Sequence, residues 1–85
     1  MSARAVLDDA ARVLLDRATS YGPPASSFAA IAARWSITLG QPVTPQQVAL
    51  CMIDLKLARL AHHPTHNDSV VDVIGYAGLL PEVTQ

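Results

Sequence analysis

Apolar residues recur at helical spacing from the start of the chain. The first run extends from Ala3 to about Ser20. Its apolar positions are three, four and seven residues apart, and they are Val6, Leu7, Ala10, Ala11, Val13, Leu14 and Ala18. Positions at this spacing share one face of a helix, so the pattern predicts an amphipathic first helix. Tyr21-Gly22-Pro23-Pro24 is expected to end it, because Gly22 suits a positive φ and proline cannot continue a helix.

Two more helices are predicted by their end signals. Pro24 is expected to open the second helix, since proline fits the first helical turn, and Gly40 follows its end. Its apolar stripe consists of Phe28, Ile31, Ala32 and Trp35. Thr44-Pro45-Gln46-Gln47 is a capping box, which predicts the start of a third helix. That helix is expected to run to about His62, before Pro64.

The fourth helix is predicted from its caps. Asn67 or Asp68 is expected to cap it, and it should continue through about Leu80 and end at Pro81. The run 70–74 could form a strand, but the flanking caps favour a helix. The chain is therefore predicted to be one all-α domain of about four helices, covering residues 1–85.

Composition adds an expectation about assembly. Hydrophobic residues make up 51% of the 85 residues and charged residues only 15%, whereas typical domains carry about 25% charged residues. A small domain has much surface to cover, so we expect apolar surface to be buried between copies in a homo-oligomer. The net charge of −1 disfavours duplex nucleic acid as a partner.

Membrane insertion and export are not expected. No apolar run approaches the roughly 20 residues that span a bilayer. Asp8 and Asp9 interrupt the N-terminal region where a signal peptide would need an apolar segment. The sequence therefore predicts a cytoplasmic protein.

The third predicted helix is apolar on nearly every side, which is typical of a central, buried helix. Cys51, the only cysteine, is expected to be a small buried hydrophobic residue there. Lys56 and Arg59 are predicted to lie on apolar faces, and Asp54 points roughly opposite them. These two cations either reach solvent or pair within the protein, or else they line a pocket for an anion such as phosphate.

The fourth predicted helix places Asp68, Asp72, Gly75 and Tyr76 along one face. Asp68 is either a cap or part of a site. Asp72 stands between valines, so it is expected to be the internal partner of Lys56 or Arg59, or else a metal or ligand contact. Gly75 would allow a backbone or ligand to approach closely.

Two other segments contain candidate ligand contacts. Arg17 and Tyr21 end the first helix, where Tyr21 is either a capping aromatic or a ligand contact. The segment His62-His63-Pro64-Thr65-His66 contains three imidazoles, but Pro64 prevents a helical pair of metal-binding histidines. A single exposed or ligand-facing histidine is favoured over a metal site, with His63 or His66 as the candidate.

These motifs together resemble a family of short, uncharacterised phage and prophage proteins. The resemblance covers about residues 12–80. It lies in Arg17-x-x-x-Tyr21-Gly22-x-Pro24-x-x-x-Phe28-x-x-Ile31-Ala32-x-x-Trp35-Ser36, in Leu55-Lys56-x-Ala58-Arg59-Leu60, and in Pro64-x-His66-x-Asp68-Ser69-x-x-Asp72-x-x-Gly75-Tyr76. The family has no known function to transfer.

More distantly, the chain is similar to phage nucleotide-modification-associated domains and to MazG-like all-α pyrophosphohydrolases. The similarity lies in the Tyr-Gly after the first helix, the cations of the third and the Asp-x-x-x-Asp-x-x-x-Tyr of the fourth. It implies a helical bundle completed by oligomerisation around a nucleotide and Mg²⁺. The Glu-x-x-Glu motif of that superfamily is absent here, and Asp68 and Asp72 are four residues apart rather than three.

The leading hypothesis is a phage-derived helical homo-oligomer that binds a nucleotide or another phosphate compound. Lys56 and Arg59 would contact phosphate, and Arg17 is a further candidate ligand contact. Tyr21 or Tyr76 would stack on a base, with His63 or His66 at the rim. Asp68 and Asp72 would orient the cations or hold Mg²⁺. The alternatives are a Mg²⁺-dependent nucleoside triphosphate pyrophosphohydrolase and a structural or interaction protein whose charges form an internal network.

Overall fold

The computed structural model describes residues 1–84, and these residues form an all-α fold. Helix α1 spans Ala3–Tyr21, α2 Pro24–Leu39, α3 Pro45–His62 and α4 Asn67–Val83. No strand occurs among the described residues. None of these helices is both long and apolar enough to cross a membrane.

The predicted turn signals form as expected at the first two junctions between helices. Gly22 has a φ of 78° and follows α1, and Pro24 opens α2. Gly40 adopts the left-handed conformation after α2. The capping box forms at Thr44, whose hydroxyl accepts from the Gln47 amide while the Gln47 side chain accepts from the Thr44 amide.

The ends of α4 differ from the prediction. His66 caps the helix, and its imidazole Nδ1 accepts from the Ser69 amide at 3.2 Å. Asn67 and Asp68 are instead the first two helical residues. Pro81 does not end the helix either, which continues to Val83. A proline in the last turn removes only one late hydrogen bond, and Val83 is buried in the core, which holds that turn in place.

Helices α3 and α4 pack most extensively against each other and run antiparallel. The main core forms where α2 covers this pair, and it consists of Phe28, Ala32, Val48, Ala49, Tyr76, Leu79 and Val83. A smaller cluster of Val6, Ala10 and Val71 attaches the first half of α1 to α4. Early α1 thus meets early α4, while Leu14 and Arg17 lie near Gly78 and Tyr76. The two helices therefore run in the same general direction.

The prediction that α3 is buried on nearly every side is wrong for this chain. Only Val48 and Ala49 of α3 are buried, and Cys51 is exposed rather than buried. Leu50, Leu55 and Leu57 are also exposed. Helices α2 and α4 cover one side of α3, so an apolar residue on the opposite side has no intrachain neighbour to bury it.

Candidate functional site

A cavity of about 660 Å³ opens between the second half of α1 and α2. The short turn at Gly22 and Pro23 holds these helix ends together, yet α1 and α2 contact each other little. Residues of α3 and α4 complete the lining. It is mostly apolar, and it comprises Leu14, Arg17, Ala18, Tyr21, Gly22, Pro24, Ser27, Phe28, Ile31, Trp35, Val48, Met52, Tyr76 and Leu79. Small-molecule sites commonly have volumes of roughly 300–1,000 Å³ and such linings.

Aromatic side chains form a large part of this cavity. Phe28 and Tyr76 are buried, with ring centroids 6.3 Å apart and planes tilted by 55°. Trp35 is half-buried. Tyr21 is 74% exposed, so it lies at the cavity mouth. This arrangement offers apolar surface inside the cavity and the exposed Tyr21 ring at the entrance, on which a flat ligand could stack.

Arg17 is the charged residue in the cavity lining. Its Nη1 donates to the Tyr76 hydroxyl at 3.2 Å, and its guanidinium carbon lies 5.6 Å from the centroid of the Tyr76 ring. The hydrogen bond with Tyr76 raises the pKa of Arg17, with the Asp72 charge adding to that effect and partial burial opposing it. Arg17 is therefore a permanent positive charge, held against the aromatic wall.

Asp72 links this arginine to a second cation. Its Oδ2 lies 3.1 Å from Lys56 Nζ, and its Oδ1 lies 3.7 Å from Arg17 Nη2. The side chains of Lys56 and Asp72 are only 12% and 18% exposed, so each compensates the other's charge in a largely dry position. Lys56 is one of the two partners expected for Asp72. The second contact comes from Arg17 rather than from Arg59.

The other candidate residues are not brought to the cavity. Arg59 and Asp68 are exposed, and they and the two histidines are absent from the cavity lining. His63 and His66 lie together at the turn between α3 and α4, with ring centroids 5.5 Å apart. His66 is occupied as the α4 cap, and its Nδ1 is 2.7 Å from the Ser69 hydroxyl oxygen.

The carboxylates proposed as magnesium ligands have different surroundings. Both oxygens of Asp72 face cations, whereas Asp68 is exposed in the first turn of α4. Within residues 1–84, no three His, Cys, Asp or Glu side chains converge as a metal site. A hydrated Mg²⁺ would need one or two carboxylates plus ligand phosphates, and the Asp72 carboxylate is already compensated by its cations.

The close approach of another backbone that was expected at Gly75 is not found. A methyl group at Gly75 would meet only the Leu14 side chain, at an ordinary 3.9 Å. No backbone of another helix approaches closely there. Gly75 is therefore not required by close packing.

Several cavity residues were not identified as site candidates from the sequence. Phe28, Ile31 and Trp35 were assigned only to the apolar stripe of α2, and Leu14 to that of α1. A stripe shows which face points inward, but it does not show whether the facing helix is close enough to fill the space. The sequence signal for the cavity was the presence of two aromatic residues, Phe28 and Trp35, on the helix that follows the Gly-Pro-Pro turn.

The fold and site define a small four-helix domain with a ligand-sized, aromatic-lined cavity and one cation, Arg17, which Asp72 and Tyr76 hold in place. A family model described as a domain of unknown function, DUF6378, matches residues 5–84, and the chain belongs to this family. The resemblance to short phage proteins is confirmed by its relatives. The chain is 41% identical over 68 residues to the Gene 55 protein of Mycobacterium phage L5 and 34% identical over 79 residues to that of Mycobacterium phage D29.

These relatives are longer than the chain. The L5 match covers 79% of this chain and 44% of the phage protein, and the D29 match covers 92% and 52%. The chain thus spans about half the length of the curated relatives it matches. No solved structure is significantly similar to it.

Proposed function

We propose that this phage-related domain binds a nucleotide or a similar ring-bearing anion in the cavity between α1 and α2. The observation that carries the proposal is the aromatic-lined space of about 660 Å³ with Arg17 at its edge. A base would lie against Phe28, Trp35 or Tyr76, and Tyr21 would cover it at the mouth. Apolar walls with a few fixed polar groups are typical of small-molecule sites.

The proposal moves the phosphate contact to Arg17. Its guanidinium has five N–H donors, and the structure uses Nη1 for Tyr76, so donors are left for an anion. Asp72 and Tyr76 restrain the side chain and lower the entropy lost on binding. Lys56 acts at a distance, because its charge offsets that of Asp72. Contacts of Arg59, His63 or His66 with the ligand would need a second copy or a longer chain.

The relatives are phage proteins, which supports a role during phage infection. We propose that this role lies in nucleotide metabolism or in sequestering a nucleotide signal in the host cytoplasm. The first test is a thermal-shift screen of the purified domain against nucleotides, including cyclic dinucleotides and trinucleotides, with and without Mg²⁺. A ligand at 100 times its Kd stabilises the folded state by about 2.7 kcal/mol. For a domain of this size, that raises Tm by roughly 10 °C or more. A flat screen would contradict the proposal.

A matched pair of variants locates the site of any hit. Ala18 lines the cavity, while Ala11 lies seven residues earlier on the same face of α1, outside the lining. We expect Ala18→Trp to fill the mouth and abolish binding, and Ala11→Trp to bind normally. Equal loss in both variants would place the ligand elsewhere.

The alternative of a Mg²⁺-dependent pyrophosphohydrolase makes a different prediction. It needs Asp68 and Asp72 to hold the ion, and it requires product to appear. Binding that survives EDTA and releases no pyrophosphate supports a binding protein. Pyrophosphate release that EDTA abolishes would establish the hydrolase instead.

We also propose that copies of the domain associate. Large apolar side chains are exposed on every helix but α4, among them Leu15 at 69% and Ile37 at 77%. Leu50 and Leu57 lie seven residues apart on the uncovered side of α3.

Sedimentation at increasing concentration should show a discrete oligomer. Leu50→Glu with Leu57→Glu should dissociate it, while Leu7→Glu with Leu15→Glu serves as the comparison on α1; a monomer throughout would refute association.

A further inference from the structure

The charges around the cavity limit the charge of its ligand. Arg17 is the charged side chain in the lining. Adding Lys56 and Asp72, its neighbours in the network, gives +1 + 1 − 1, a net charge of +1. The remaining lining is mainly apolar, and the polar side-chain groups are those of Ser27, Tyr21, Tyr76 and the indole N–H of Trp35.

A ligand with several negative charges fits this environment poorly. Each charge removed from water needs a partner, since an uncompensated ion in an apolar site is costly. A triphosphate would bring several negative charges to a site with a net charge of +1. The side chains of Lys56 and Asp72 are mostly buried against each other, so Lys56 cannot turn to a ligand without leaving Asp72 only its longer contact with Arg17.

We infer that the cavity selects a flat ring carrying a single anionic group, such as a nucleoside monophosphate, over di- and triphosphates. A phosphomonoester carries about −1.5 to −2 charges at pH 7, so it brings the fewest negative charges of the three to a site of low positive charge. The inference rests on the proposed function and specifies its ligand class. The anionic group lies against the free N–H groups of Arg17, and the ring lies against the aromatic wall. Asp72 positions Arg17 and sets the net charge; it does not touch the ligand.

The test is calorimetric titration of the wild-type domain with adenosine and its 5′-mono-, di- and triphosphates, in EDTA, and with the matching guanosine series. Affinity should peak at the monophosphate and fall with each added phosphate. Arg17→Met should weaken monophosphate binding about 10- to 100-fold, as for a lost charge-assisted hydrogen bond, and should weaken nucleoside binding much less. Arg34→Met removes an exposed cation of α2 that lies outside the lining and should change neither.

The outcomes separate the two proposals. Affinity that rises with phosphate number would overturn the single-anion inference while leaving nucleotide binding intact. Equal loss for nucleoside and monophosphate in Arg17→Met would also overturn it. If neither nucleotide series binds but an aromatic monocarboxylate such as indole-3-acetate does, the nucleotide proposal is refuted and the preference for a single anionic group is retained. If none of these compounds binds, both the nucleotide proposal and the single-anion inference are refuted.

Discussion

The two halves of α1 make very different contacts. In the first half, Val6 and Ala10 pack directly on Val71 of α4 and are almost fully buried. In the second half, Arg17, Ala18 and Tyr21 are exposed and border a cavity. In the first half, Val13, Val70 and Ile74 pack around this smaller cluster. In the second half, contact with α4 is made by Leu14 and by the long side chain of Arg17.

This contrast separates residues that hold the fold from residues available for a ligand. The packed half resembles a protein interior, where any change in volume is felt. The open half is expected to tolerate changes in size, and it contacts α4 through Leu14 and through the ion-pair network of Arg17. The boundary between the halves is the group Arg17, Asp72 and Lys56. The predictions below test this division.

The largest effect is expected at the boundary. Asp72→Ala leaves Lys56, which is only 12% exposed, without its carboxylate, and Arg17 loses its charge partner. We expect the free energy of unfolding to fall by about 3 kcal/mol, as for breaking a largely buried pair. Urea unfolding measures this loss. Asp68→Ala, one turn earlier and exposed, is the control and should cost at most about 1 kcal/mol; similar losses in both would remove the special role of the network.

The packed half should reject a larger side chain that the open half accepts. Ala10 is 2% exposed against α4, so Ala10→Leu forces the helices apart and should cost about 2 kcal/mol. Ala18→Leu adds the same atoms beside the cavity and should change stability by less than about 0.5 kcal/mol. Thermal unfolding of both variants makes the comparison. A large loss in Ala18→Leu would show that the cavity closes in solution.

The cap of α4 should affect stability without affecting the cavity. His66→Ala removes the acceptor for the Ser69 amide and should cost about 1 kcal/mol, while His66→Asn should keep most of that stability. Ligand affinity should match the wild type in both variants, since His66 lies outside the cavity lining. Weaker binding by folded His66→Ala would bring the histidines back into the site.

The smallest effect is a gain. A methyl group at Gly75 or Gly78 would meet only Leu14, at 3.9 Å, and alanine is the better helix former by up to about 1 kcal/mol. Gly75→Ala and Gly78→Ala should therefore each raise the free energy of unfolding by about 0.5–1 kcal/mol. A loss in Gly75→Ala alone would indicate that α1 approaches α4 more closely than described.

Local signals predicted the elements well and the site only in part. The capping box at Thr44 and the turn at Gly22 are written in four or five neighbouring residues, so the sequence shows them directly. The cap by His66 was missed because histidine is not among the usual capping residues. The burial of α3 was overestimated because apolar spacing does not say how many helices cover a face. Arg17 and Tyr76 are 59 positions apart, and a contact of that range has no local signature.

The Gly22–Pro23 junction connects α1 to α2 at the cavity mouth. Gly22 has a φ of 78° and no atom near the position of a Cβ, so its conformation depends on backbone torsion and not on neighbouring side chains. Proline at the next position fixes a second torsion. These two consecutive residues therefore set the direction in which α2 leaves the end of α1. Pro23 does not line the cavity, so a substitution there would alter the path of the chain at the mouth while every lining side chain stays unchanged.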